Sequence, residues 1–460
     1  MTLETVRANL QKLEEFLSRH PEIQHVTSSS PEYDSTRATF VARPDVTPSA
    51  IVRPPTIEDA VSIVSFLITN KIEFTVRVGG HDMLSRTFKD MIVGVDLRLI
   101  NHVAIDENHL TARVGGGILI GDLSRKLHEH GLATATGTIS PVGYVGWAMY
   151  GGYGPYSTQF GLGVDHIIAA KIINAQGALV EADADLLKAI RGAGGAFGVL
   201  VEVTIQVHRL DKILAGVLFL KSDDISAAVR QYNEGYRRLS AEGIPAALTI
   251  AQAAVNTPQG LALLLLVNWS SPDFESGKIW VDKISRLAPV VLNTVKETTP
   301  PGWLEEAGRL VPRETQGRMY TINAKAITNE VVDVISTHLQ RMPSDPHIIW
   351  NMHELRRSSP SARPRSDAVF AAREGHFMFE IVSIAEKKEN LDSVLAWGKE
   401  FQEALYKTDP DNILAATYLS MTAPDEIDLT KVFGEHYELL REFKQSHDPH
   451  GVFSNGYVRF

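Results

Sequence analysis

The residues with the most chemical potential lie in one short turn, Arg77-Val78-Gly79-Gly80-His81-Asp82. The β-rich run Phe74 to Val78 ends there, and two glycines let the backbone turn with no Cβ in the way. Such a turn projects the His81 imidazole toward whatever the glycines approach. The same residue types also make an ordinary hydrogen-bonding surface histidine. Three further glycine clusters follow: Gly115-Gly116-Gly117, the stretch from Gly137 to Gly163, and Gly192 to Gly198. Glycine-rich strand ends let backbone N–H groups face a ligand. Together the clusters point to a long phosphate-bearing cofactor gripped mainly by backbone. None is a Rossmann fingerprint, because Gly192-Ala193-Gly194-Gly195-Ala196-Phe197-Gly198 has the wrong spacing for G-x-G-x-x-G.

Other chemistries find less support. The chain has no cysteine, which excludes disulfides, thiolate nucleophiles, cysteine-based zinc sites and iron–sulfur clusters. His128-Glu129-His130 and His447-Asp448-Pro449-His450 lack the H-E-x-x-H spacing that places two imidazoles on one helix face, so no metal site is expected. No G-x-S-x-G elbow suggests a hydrolase. The net charge of -10 argues against nucleic acid and against an anionic membrane surface as partners. No apolar run is long enough to span a bilayer, and the N-terminus lacks the unbroken apolar stretch of a signal peptide. A cytoplasmic location is therefore the expectation. Oligomeric state has no signature in the sequence.

The elements that must position these residues read as α+β. Val6, Leu10, Leu13 and Leu17 predict an opening helix. Ala50-Ile51-Val52 reads as a strand, and Thr56 as the cap of a helix with Ala60, Val61, Val64 and Leu67 on its apolar side. Strands are expected at 92–97, 111–114, 167–174 and 199–207. Helices are expected at 120–130 and 183–190. After about residue 211 the glycine clusters vanish, and 212–410 alternates helices with apolar strands such as Leu261 to Val267 and His376 to Ile381. That region reads as a second domain shaping a substrate pocket.

In this order, the motifs resemble those of the berberine-bridge-enzyme-like FAD-linked oxidases, of the vanillyl-alcohol-oxidase type. Thr75 to Asp82 is similar to the flavin-attachment motif. Ala112 to Gly117, Ala135 to Gly146, Tyr150 to Gly154 with Gly161 to Asp165, and Asp185 to Val199 resemble the family's later segments. Asp448-Pro449-His450-Gly451-Val452-Phe453 looks like its C-terminal "D-P-x-x-V-F". The resemblance implies an α+β fold. A PCMH-type FAD-binding domain of two α/β subdomains (1–211, completed by 411–460) would carry a substrate domain of antiparallel sheet backed by helices (212–410). It implies covalent FAD through His81 alone, because the position of the family's second link falls at about Ile139 in a chain without cysteine. Cofactor contacts are then expected from Arg77, Val78, Gly79, Gly80, His81, Asp82, Gly137, Thr138, Gly143, Gly146, Gly151, Gly152, Gly198 and Val201.

The family's tyrosine base belongs to "Y-x-N-Y", whose counterpart here is Tyr418-Leu419-Ser420-Met421. Tyr418, Tyr144, His353 and His376 are the catalytic candidates, with Tyr153, Glu354 and Arg373 as further acid/base groups. The implied reaction is oxidation of a small organic, secondary-metabolite substrate by hydride transfer to flavin N5, with O2 as acceptor and H2O2 as product. Because Met421 stands where the second tyrosine would, a cyclase or isomerase with no net redox change is the alternative.

Overall fold

The structure is a computed structural model, and it describes residues 2–309, 311 and 315–460. The opening helix, Leu3–Leu17, buries Val6, Leu13 and Leu17 on the side its periodicity predicts. Thr56 caps the helix Ile57–Thr69 as expected, its Oγ1 accepting the Asp59 amide at 3.1 Å. That helix crosses over a four-stranded sheet ordered Gln24–Val26, Ala50–Arg53, Val93–Asp96, Phe74–Arg77. The last three strands are parallel, which puts the Arg77 end of Phe74–Arg77 beside Asp96.

A second, antiparallel sheet is ordered Val103–Asp106, Thr111–Gly115, Val199–Gln206, Ile167–Ile173, Leu179–Glu181. The helices Ile120–His128 and Ala184–Ala193 contribute to its core. The second helix starts where its Asp183 cap dictates, the carboxylate accepting the Leu186 amide at 2.9 Å.

A third sheet has eight strands between Ile213 and Ala385. Its pairings are antiparallel. The long helices Ile225–Ala241, Asn329–Gln340 and Leu391–Tyr406 bury their apolar sides on one face. Strand alternation then leaves the other face to the site. Residues after Tyr406 run back to the first two sheets: Lys444 Nζ donates to the Ala196 carbonyl at 2.6 Å, and Phe453 meets Phe74 edge-on at 6.3 Å. Among the described residues no helix is long and apolar enough to cross a membrane.

Candidate active site

A cavity of about 400 Å³ lies between the glycine turns and the free face of the eight-stranded sheet. One wall is the turn at Arg77 to Asp82. Gly79 packs so tightly on the next loop that a Cβ there would sit 2.3 Å from the Gly143 amide nitrogen. Gly80 has φ +74°, the left-handed region that glycine enters without cost. Among the described residues, the amides of Gly79, Gly80, His81, Thr138 and Ile139 have no acceptor within the chain. Free amides on two facing glycine loops are donors that phosphate and carbonyl oxygens can use. A flat ring system with a diphosphate tail, such as FAD, fits this cradle.

The imidazole of His81 stacks on Phe40, with ring centroids 3.9 Å apart. Burial holds its pKa down to about 4, with Asp82 pulling the other way, so the ring is neutral at ordinary pH. Asp82 is fixed by Arg86, whose Nη2 donates to it at 2.7 Å. The same guanidinium donates to the carbonyls of Leu419, Ser420 and Thr422, and lies 3.7 Å from the Tyr457 ring centroid. Arg77 donates to the carbonyls of Thr36 and Ala38.

The opposite wall is sheet. Antiparallel register sets Asn351 beside Glu380 and places His353 one step along the same face. Asn351 Nδ2 donates to Glu380 Oε2 at 3.0 Å, and His353 Nε2 is 3.3 Å from Glu380 Oε1. Burial alone would raise the Glu380 pKa. His353 and Asn351 outweigh it and hold the carboxyl below its ordinary value, so Glu380 is ionised. Tyr418 and Tyr153 close one side, their rings edge-to-face at 5.1 Å. Burial pushes both hydroxyls well above the usual phenol range. Four side chains lining the cavity, Thr75, Arg77, Asn268 and Ser420, have buried polar atoms with no partner among the described residues.

Of the residues expected at the cofactor, Arg77 to Asp82, Gly137, Thr138, Gly143, Gly146 and Gly198 line this cavity. Gly151, Gly152 and Val201 lie behind it. Val201 is fully buried in the core, and its carbonyl accepts the Gly116 amide. Of the catalytic candidates, Tyr418, His353 and Tyr153 line the cavity. His376 sits one layer back, its Nε2 2.7 Å from the Tyr153 hydroxyl and its Nδ1 donating to the Glu374 carbonyl at 2.7 Å. Tyr144 is turned into the core of the second sheet, because helix Tyr144–Ala148 presents Gly143, Val145 and Gly146 to the cavity instead. Glu354 is taken up by Arg356 and Tyr236, and Arg373 by Asp165 at 2.6 Å. Glu380 and Asn351 were not among the expected residues. An isolated acid inside the apolar strand Phe377-Met378-Phe379-Glu380-Ile381-Val382 was the available signal.

Comparisons with known proteins agree with this geometry. The family model described as "FAD binding domain" matches residues 48–183. An FAD-linked oxidoreductase, aurO, of Gibberella zeae is 28% identical over 94% of this chain and 85% of its own length. Berberine bridge enzyme from Eschscholzia californica shares the fold with a TM-score of 0.81 and 19% identity, covering 96% of this chain and 97% of the other. Glucooligosaccharide oxidase from Acremonium strictum, described with a 6-S-cysteinyl, 8α-N1-histidyl FAD, shares it with a TM-score of 0.80 and 19% identity, over 94% and 96%. The chain therefore carries an FAD binding domain, has the fold of berberine bridge enzyme, and is similar along most of its length to an FAD-linked oxidoreductase.

Proposed function

We propose that this chain oxidises a small organic substrate held between an FAD and the eight-stranded sheet, with O2 as acceptor and H2O2 as product. When bound, FAD supplies acceptance of a hydride at flavin N5. The protein's part is to hold, orient and deprotonate. The amides at Gly79 to His81 and at Thr138 and Ile139 hold the cofactor. His81, neutral and stacked on Phe40, is its single covalent tether, since Ile139 offers no second nucleophile. Residues 1–211 and 411–460 form the cofactor unit in this reading, and 212–410 the substrate unit.

The observation that carries the reading is the ionised Glu380, on the sheet wall of the cavity that His81 also lines. Glu380 takes the proton from the substrate's heteroatom as its neighbouring carbon is oxidised. Asn351 and His353 keep the carboxylate ionised and aimed, and the Tyr418 hydroxyl offers a second polar contact. Apolar walls strengthen each of these interactions by excluding water.

Acid precipitation tests the tether. Yellow colour should stay with the precipitated wild-type protein and pass to the supernatant in His81→Ala. Release of all flavin from the wild type would refute the link. Anaerobic mixing with a turned-over substrate tests oxidation. Bleaching of the flavin is expected, and turnover without bleaching or O2 uptake would favour the cyclase or isomerase reading.

A further inference from the structure

Asn351, His353 and Glu380 sit together on the sheet wall, and elementary hydrogen-bond chemistry fixes where their hydrogens lie. The Asn351 amide fits one way round. Its Oδ1 accepts the Met352 amide at 3.0 Å. Its Nδ2 donates at 3.0 Å to Glu380 Oε2, an oxygen that only accepts while the carboxyl is ionised. The same Nδ2 lies 2.9 Å from His353 Nε2. Two donors do not face each other, so Nε2 presents its lone pair and the hydrogen of the neutral ring is on Nδ1.

That assignment leaves a place for one more proton. Nε2 is also 3.3 Å from Glu380 Oε1. With the imidazole neutral, two lone-pair atoms meet across that gap. A proton between them turns the repulsion into an ion pair. Its two resting places are unequal. On Glu380 it makes a neutral acid and weakens the bond from Asn351. On His353 it makes an imidazolium against a carboxylate that Asn351 still holds. His353 and Asn351 together keep the Glu380 carboxyl below its ordinary value, which favours the second place. Surrounding elements do not compete for the proton. Ala253 faces Asn351 from the strand Leu248–Thr257, and Met378 faces His353 from the strand that carries Glu380. Tyr418 keeps its own proton, because burial pushes its hydroxyl well above the usual phenol range.

Resting on the reading that Glu380 takes the substrate's proton, we propose that Glu380 and His353 act as one base holding one proton, which comes to rest on His353 Nε2. The heteroatom–hydrogen bond of the substrate breaks as an O–H bond forms on Glu380. That O–H bond breaks in turn as an N–H bond forms on Nε2, and the carboxylate is restored. Solvent takes the proton from the imidazole after product leaves.

The resting place of a proton shared at equilibrium does not depend on its source, so acidified water supplies it and no substrate is needed. The test is an NMR titration of the FAD-loaded protein with isotope-labelled histidine rings and glutamate carboxyls. The signals of the pair are those lost in His353→Gln and Glu380→Gln. At alkaline pH, Nε2 should show the shift of a bare nitrogen and Nδ1 that of an N–H. On acidification one proton should arrive at Nε2 while the Glu380 carboxyl carbon keeps its ionised position. In Glu380→Gln the same uptake should need about tenfold more acid or beyond, because the charge that favours the imidazolium is gone. Asn351→Leu removes the donor facing Nε2, and the tautomer with hydrogen on Nε2 should then appear at alkaline pH. FAD content checks that each variant has folded. Hydrogen on Nε2 of the alkaline wild type would overturn the proposal, as would a first proton on Glu380 or an unshifted His353 titration in Glu380→Gln. A pair that titrates as expected in a protein whose flavin no compound bleaches supports the shared proton and counts against oxidation.

Discussion

Glu380 and His81 are two titratable side chains on opposite sides of one cavity, driven to opposite charge states. Burial alone drives His81 neutral. Burial offset by two partners leaves Glu380 ionised. A neutral imidazole keeps a lone pair for a covalent bond, and an ionised carboxylate can accept a proton. Glu380→Gln preserves shape and hydrogen bonding while removing the base. Turnover should fall about 10²–10⁴-fold with FAD still bound, checked by single-turnover reduction kinetics. The place of His81 on the cavity wall was legible from the ordered glycine motifs, while its own turn left a surface histidine equally open. Glu380 was not legible, because its importance depends on pairing with Asn351 across the sheet, a register that no local spacing encodes. Tyr144 shows the converse. Its sequence neighbours face the cavity, and the helical turn carries it away from them.

At the scale of elements, the glycine loops and the strands feeding them follow directly from composition. Gly79 and Gly143 leave no room for a side chain, and the strand ends fall within a residue or two of expectation. The pairing order of the eight-stranded sheet was illegible, since antiparallel apolar strands of similar length do not announce their partners. Nor could the sequence disclose Arg86. This residue fastens the turn after His81 to the segment Leu419 to Thr422, more than 300 positions away. Arg86→Met removes that fastening and leaves the Asp82 carboxylate buried without its ion pair. The expected result is FAD binding with less covalent attachment, measured as the ratio of acid-stable to total flavin. Arg86→Lys should restore part of the charge but not the fork that reaches three carbonyls.

For the whole molecule, burial lowers the pKa of five histidines among the described residues, three of them strongly. His81, His208 and His376 each have a pKa lowered to about 4. Unfolded imidazoles titrate near about 6.5. Between those values the unfolded chain binds protons that the folded chain refuses, so stability is full above about pH 6.5 and drains as pH falls toward 4. Calorimetric melting temperature should decline steadily across that window, and a flat profile would contradict the buried neutral state. The cofactor turn is also tied to a distant part of the chain. Phe40, which carries the His81 ring, donates its amide to the Gly80 carbonyl, and its own carbonyl accepts from Thr315, just before the strand Gln316–Ala324 of the eight-stranded sheet. Met83, two residues beyond the histidine, packs with Met319, Val382 and Ile384 of that sheet. Both supports of the imidazole, Phe40 before it and Met83 after it, therefore rest on the later-synthesised sheet. On the proposed His81 tether, covalent attachment would serve as an assembly checkpoint: a chain cut off before the sheet is complete would present the glycine loops without these supports of the histidine, and flavin would become permanent only on molecules that had finished folding.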